Sequence, residues 1–140
     1  MTITKKVYNE MIAHAKAGFP NEACGILAGA VGDSSDRTVF CHYFFPMRNM
    51  DESSISYFMD PKEQLKVFKT LREKKLEMTG IFHSHVASEA YPSQKDVRLA
   101  FYPDVSYLIV SLSDMDKPVL RAYKIVEEKV KEEGVKIIGE

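Results

Sequence analysis

The sequence predicts an α/β domain in which a mixed β-sheet is covered by helices. Three observations lead there. Stretches with helical periodicity alternate with apolar, strand-like runs in the order helix, hairpin, strand, helix, strand, helix, strand, strand. One of these runs, SYLIVSL at 106–112, is apolar almost throughout, as a central strand covered on both faces must be. The length, 140 residues, fits one domain over residues 1–140 with a sizeable core.

Residues Thr2–Ala17 read as the first helix, because Val7, Met11 and Ala15 recur at four-residue steps with Tyr8 and Ile12 beside them. Gly18 and then Pro20 stop it. His14 lies in this helix without a partner pattern and reads as a surface or packing residue. ACGILAGA is the first strand, AVGDSSDR a turn, and RTVFCHYFF a second strand paired antiparallel with the first. His42 stands alone in that strand and reads as a strand-face residue rather than a ligand. PMRNMDESS is a polar loop, and ISYFM a short strand.

Asp60-Pro61-Lys62-Glu63 starts a helix, with Asp60 as N-cap, Pro61 in the first position and Glu63 able to close a capping box. This helix runs to about Lys75, with Leu65, Val67, Phe68 and Leu71 as its apolar face and its basic residues in solvent. LEMTGIFHSH reads as a buried strand reaching its end, VASEAYP as a loop, and SQKDVRLAF as a helix. After SYLIVSL come the turn LSDMDKP and the strand VLRAYKIV. In the tail EEKVKEEGVKIIGE, charge suggests a helix, whereas Gly134 and Val135-x-Ile137 suggest a short strand; a strand is the expectation.

Composition excludes several classes. The apolar and charged fractions are those of an ordinary globular protein. Lys+Arg (19) and Asp+Glu (20) nearly balance, and no basic stripe invites nucleic acid. The longest apolar runs fall far short of a membrane span. MTITKKVYNEM lacks the apolar core of a signal peptide, so a cytoplasmic location is expected. Cys24 and Cys41 make no disulfide framework, and two reduced, buried thiols are the expectation.

The chemistry concentrates in Gly80–Asp96, GIFHSHVASEAYPSQKD. Side chains two apart on a strand share a face, so His83 and His85 can present two imidazoles to one point. Asp96, in the first turn of the following helix, can add a carboxylate. Zinc with three such protein ligands keeps a fourth position for water, the catalytic arrangement. A water on such a zinc has a pKa near ~7. Histidine pairs at this spacing also arise by chance on half-buried strands. Ser93-x-x-Asp96 reads equally as a capping box, which is compatible with a metal site but leaves the histidines unexplained.

His83-x-His85, seven residues, Ser93, two residues and Asp96 resemble the JAMM motif of the MPN+ metalloproteases. Glu22, in PNEACGILAG, matches the upstream glutamate of that family, and the similarity runs from the first helix to about Tyr123. Val86 departs from the pattern, since many members carry proline there; this touches the shape of the loop, not the ligands. The resemblance implies the MPN fold, which is cytidine-deaminase-like, in a small stand-alone chain of the prokaryotic branch.

It further implies a zinc metallopeptidase with His83, His85 and Asp96 as ligands. Glu22 would be the general base that passes its proton to the leaving amine, and Ser93 a donor to the oxyanion. The implied substrate is an amide bond after the C-terminal glycines of a ubiquitin-like or sulfur-carrier protein, whose tail adds to a sheet edge. Asn49, Ser53 and Ser54 become candidates for substrate contact, and Met47, Met50 and Tyr91 for apolar contact with the partner's body; an ordinary loop is the alternative. A zinc deaminase would show H-x-E and a later P-C-x-x-C, and this chain has neither. A non-catalytic MPN scaffold would lack ligands, and none is missing here.

Overall fold

A computed structural model describes residues 1–30 and 39–139. Its elements are β1 (Thr2–Thr4), α1 (Lys5–Gly18), β2 (Cys24–Gly29), β3 (Phe40–Cys41), β4 (Tyr43–Met47), α2 (Pro61–Glu73), β5 (Glu77–His85), α3 (Gln94–Arg98), β6 (Ser106–Ser111), β7 (Val119–Val126), β8 (Lys129–Glu133) and β9 (Lys136–Ile138). A six-stranded sheet runs β4-β2-β5-β6-β7-β8, and a three-stranded one β3-β1-β9. In the larger sheet β5 and β6 are parallel and the other neighbours antiparallel, so the sheet is mixed, as expected.

Helices cover both faces of the large sheet. Val7, Met11 and Ala15 of α1 pack with Leu27, Phe82 and Leu108 on one face. Val67 and Leu71 of α2 pack with Ile26, Ile81 and Ile109 on the other. Alternation along the strands decides which residues meet which layer. In β5, Phe82 turns to α1, whereas Ile81 turns to α2. His83 shares the face of Ile81 by the same alternation.

The structure corrects several boundaries. The first helix begins at Lys5 rather than Thr2, because Thr2–Thr4 pairs as a strand with β3 and β9. Thr4 then caps the helix, its side-chain oxygen accepting from the Val7 N–H at 3.1 Å. The second strand is broken at His42: β3 joins the small sheet and β4 pairs with β2. The turn expected over 30–37 lies, from residue 31 onward, outside the described residues, as does the start of the strand expected after it.

ISYFM is not a strand; only a single bridge joins Asn49 and Met59. The Asn49 side chain takes the place of a ladder there. Its amide donates to the Ser56 carbonyl and its oxygen accepts from the Phe58 N–H, both at 3.0 Å. Leu65, expected on the apolar face of α2, is 69% exposed. The helix after the motif is only five residues long, Gln94–Arg98. The tail is strand, as β8 and β9.

Candidate metal centre

The site forms where β5 ends. β2 runs antiparallel to β5 with Cys24 opposite His83, so the start of one strand lies beside the end of the other. Continued two residues outward, that register sets Glu22 against His85. The junction is tied down on both sides. The Ser84 N–H donates to the Ala23 carbonyl at 2.9 Å, and the Ala23 N–H to the Ser84 hydroxyl at 2.8 Å. The Glu22 N–H donates to the Ser53 carbonyl, also at 2.8 Å. Asp96 arrives from the first turn of α3. Its Oδ2 accepts from the Ser93 N–H at 2.9 Å while the Ser93 hydroxyl accepts from the Asp96 N–H at 3.1 Å, a complete capping box. The helix cap and the placement of the carboxylate are therefore one structure.

Three donor atoms converge. His83 Nε2 lies 3.0 Å from His85 Nε2, and Asp96 Oδ2 lies 3.1 Å from each. Among the described residues this is the group of side chains able to hold a metal ion. The tautomer of His85 can be assigned. Its Nδ1 is 2.8 Å from the Glu89 carbonyl oxygen, which can only accept, so Nδ1 carries a proton, and in the neutral ring Nε2 is left with its lone pair toward the centre. A lone pair and a carboxylate oxygen facing each other at 3.1 Å repel unless a cation or proton lies between them. The donor set fits a metal ion.

Burial shapes the charges. His83 and His85 are 1% and 4% exposed. Burial pushes the His83 imidazole below its ordinary pKa, against the pull of Asp96, so it stays neutral and able to ligate. At His85 burial acts the same way, but the Asp96 carboxylate and the Glu89 carbonyl outweigh it and raise the value. Burial works against ionised Asp96 too, yet the hydrogen bonds from both histidines prevail and hold it well below the usual carboxylate range. Glu22 differs. Burial pushes its pKa up to about 7, opposed by His85 and Lys95 and assisted by Asp96. Its Oε1 is buried without a hydrogen-bond partner among the described residues.

The structure thus brings Glu22, His83, His85, Ser93 and Asp96 to one place. Other expectations change. Asn49 is a structural hub rather than an open contact: besides its bonds to residues 56 and 58, its amide donates to the Glu22 carbonyl at 3.0 Å. Ser53 acts through its backbone on Glu22. Met47 is 4% exposed, because its place in β4 opposite Cys24 turns it into the core, so it offers no partner contact. Met50 and Tyr91 are exposed. Cys24 and Cys41 are free and buried, and burial pushes their thiols up to about 12 and about 11. His14 is a packing residue, its Nε2 2.9 Å from the Cys24 carbonyl. His42 is exposed and stacks on Phe40.

Sequence reasoning missed two contributors. Glu89 acts through its carbonyl, which no side-chain pattern reveals. Tyr57 stacks on His83 with ring centroids 4.6 Å apart and 22° between the planes. Beside the centre a groove of about 310 Å³ opens between Tyr57–Met59 and Leu99–Tyr102, with Asp96 in its wall. Phe58, Leu99 and Phe101 line it and are 55%, 49% and 72% exposed.

The profile of the family described as "Prokaryotic homologs of the JAB domain" matches residues 4–126. The chain is 42% identical over 138 residues to a CysO-cysteine peptidase of Mycobacterium tuberculosis, covering 99% of this chain and 91% of the other. It is 35% identical over 119 residues to a desampylase of Pyrococcus furiosus, covering 85% and 76%. A solution structure of a Desulfitobacterium hafniense protein superposes with TM-score 0.89 at 42% identity, covering 99% and 93%. The crystal structure of a JAB1/MPN domain protein from Archaeoglobus fulgidus shares the fold, with TM-score 0.62 at 16% identity and coverage of 99% and 100%.

Proposed function

We propose a reaction for a chain that belongs to the family of prokaryotic homologs of the JAB domain and is a JAMM-type peptidase: zinc-dependent hydrolysis of the amide bond after the C-terminal glycines of a ubiquitin-like or sulfur-carrier protein. The observation that carries it is the triangle of His83 Nε2, His85 Nε2 and Asp96 Oδ2, at 3.0–3.1 Å, with the Glu22 carboxyl beside it, its Oε1 buried without a hydrogen-bond partner among the described residues. Ligand atoms about 2.0–2.1 Å from a tetrahedral zinc stand about 3.3 Å from one another, close to this spacing. Two imidazoles and one carboxylate are a zinc donor set that leaves a fourth position open. The relatives' names supply the class of substrate: one is a CysO-cysteine peptidase, another a desampylase.

Bound at these three atoms, zinc supplies Lewis acidity that polarises a carbonyl and acidifies a water. The chain's own residues do the rest. Glu22, whose carboxyl reaches the centre from the start of β2, takes a proton from the attacking water and returns it to the nitrogen as the C–N bond breaks. The water oxygen stays on the acyl carbon, so the products are a free glycine carboxylate and a free amine. The Ser93 oxygen accepts from the Asp96 N–H, which leaves its hydroxyl proton free to reach the developing oxyanion. The extended tail lies along the groove that ends at Asp96, its apolar side chains against Phe58, Leu99 and Phe101.

In this reading residues 1–140 act as one domain. Among the described residues no helix is long and apolar enough to cross a membrane. We place the reaction in the cytoplasm, without a membrane as partner, and the near-balanced charge supports a reading without nucleic acid. The test is the zinc content of the purified chain. About one zinc per chain is expected in the wild type and none after replacement of His83 and His85 by alanine. Full zinc occupancy in that double variant would overturn the ligand assignment.

A further inference from the structure

The two histidines of the centre are oriented by different means. His85 is held by a hydrogen bond from Nδ1 to the Glu89 carbonyl. Metal-binding imidazoles almost always have such a support on the nitrogen away from the metal, and its loss typically weakens metal binding 10–100-fold. His83 has none: its Nδ1 is buried with no hydrogen-bond partner among the described residues. With no hydrogen bond on that nitrogen, the plane of the ring is set by what packs against its faces. Tyr57, half-buried, stacks on one ring face with centroids 4.6 Å apart and 22° between the planes.

Tyr57 is itself fixed by the hydrogen bonds of Asn49. The Asn49 side chain brackets it, donating to the carbonyl of residue 56 and accepting from the N–H of residue 58, both at 3.0 Å. The second amide proton of Asn49 goes to the Glu22 carbonyl, and the Glu22 N–H goes to the Ser53 carbonyl. The segment that carries Tyr57 is therefore bonded to the segment that carries Glu22. This clamp replaces the strand that the sequence suggests at 55–59 and stops the ring from swinging away from His83.

We propose that Tyr57 is a positioning residue, whose ring, held by the Asn49 clamp, sets the plane of the His83 imidazole that no hydrogen bond sets. The proposal rests on the reading of His83 as a metal ligand. An electron-rich phenol face also suits an imidazole that gives up electron density to a cation, so the stack strengthens when metal binds. The ring carries the effect, not the hydroxyl.

The test measures zinc affinity by competition with a chelator, together with the ring-proton shifts of His83 in the metal-free protein. Tyr57→Leu should weaken zinc binding about 10–100-fold, the range for loss of a ligand's support. Tyr57→Phe should stay within about threefold of the wild type, with both variants folded by circular dichroism. In metal-free wild type and Tyr57→Phe, the His83 ring protons should show an upfield ring-current shift that Tyr57→Leu loses. A folded Tyr57→Leu protein that binds zinc as tightly as the wild type would overturn the proposal. If Tyr57→Leu does not fold, the shift in wild type and Tyr57→Phe decides, and its absence overturns the proposal. Neither readout needs turnover, so failure of the peptidase reading would show separately, as tight zinc binding without cleavage.

Discussion

Glu22 stands at the mouth of β2 with one carboxylate oxygen buried and without a hydrogen-bond partner among the described residues, and burial brings its pKa up to about 7. Two predictions follow at the scale of this residue. Glu22→Gln keeps the shape and the zinc but cannot take a proton, so turnover should fall by ~10²–10⁴-fold with zinc content unchanged. Near-normal turnover would leave Glu22 a strand-edge residue. The second concerns pH. The folded value of about 7 lies above the ordinary 4.5, so folding favours the protonated form. The stability this group contributes is present below pH 4.5 and is lost as the pH rises through about 7. In metal-free protein, Glu22→Gln should thus gain on the wild type between these values, by at most about 3 kcal/mol. The difference between the two unfolding curves reports the titration of Glu22 together with its coupling to His85 and Asp96. A difference that does not change with pH would contradict the buried, raised carboxyl.

At the scale of the element, α3 shows how one local motif serves two ends. Ser93 and Asp96 cap the helix through each other's backbone, and the oxygen that completes the cap also faces both histidines. Ser93→Ala should lower stability by roughly 1 kcal/mol, as loss of an N-cap does. It should also lower kcat through the lost oxyanion donor. Unfolding and rate must be measured on the same variant; a rate that follows only the fraction folded would leave Ser93 a cap and nothing more. This element also shows what the sequence made legible. The i, i+2 histidines, the Ser-x-x-Asp cap and the apolar run before them were readable because strand period and cap chemistry are local. The face of β5 that meets α2, and the approach of Glu22 to His85, were not, since they depend on the pairing of β2 with β5. The segment 55–59 reads as a strand by composition, but the Asn49 side chain satisfies the backbone that would otherwise pair. Thr2–Thr4 reads as helix, but β3 and β9 recruit it as a strand. Of the apolar face expected on α2, Val67 and Leu71 are buried, whereas Leu65 fits by spacing yet stays exposed.

At the scale of the whole molecule, the centre opens at the surface beside an apolar groove rather than inside a closed pocket. Main-chain pairing with a tail carries little sequence information. Selectivity then needs a second surface, where a few packed anchors carry most of the energy. The exposed Met50 and Tyr91, on loops flanking the centre, are the side chains placed for it. The kcat/KM for an intact ubiquitin-like adduct should exceed that for a synthetic peptide of its last several residues; equal values would rule out recognition of the folded body. The most direct test of the account is mass spectrometry of a ubiquitin-like protein with a C-terminal amide-linked adduct after incubation with zinc-loaded protein. The account predicts release of the adduct after the terminal glycine, abolished by a chelator and restored by zinc. An uncleaved substrate in the presence of protein shown to hold one zinc would contradict it.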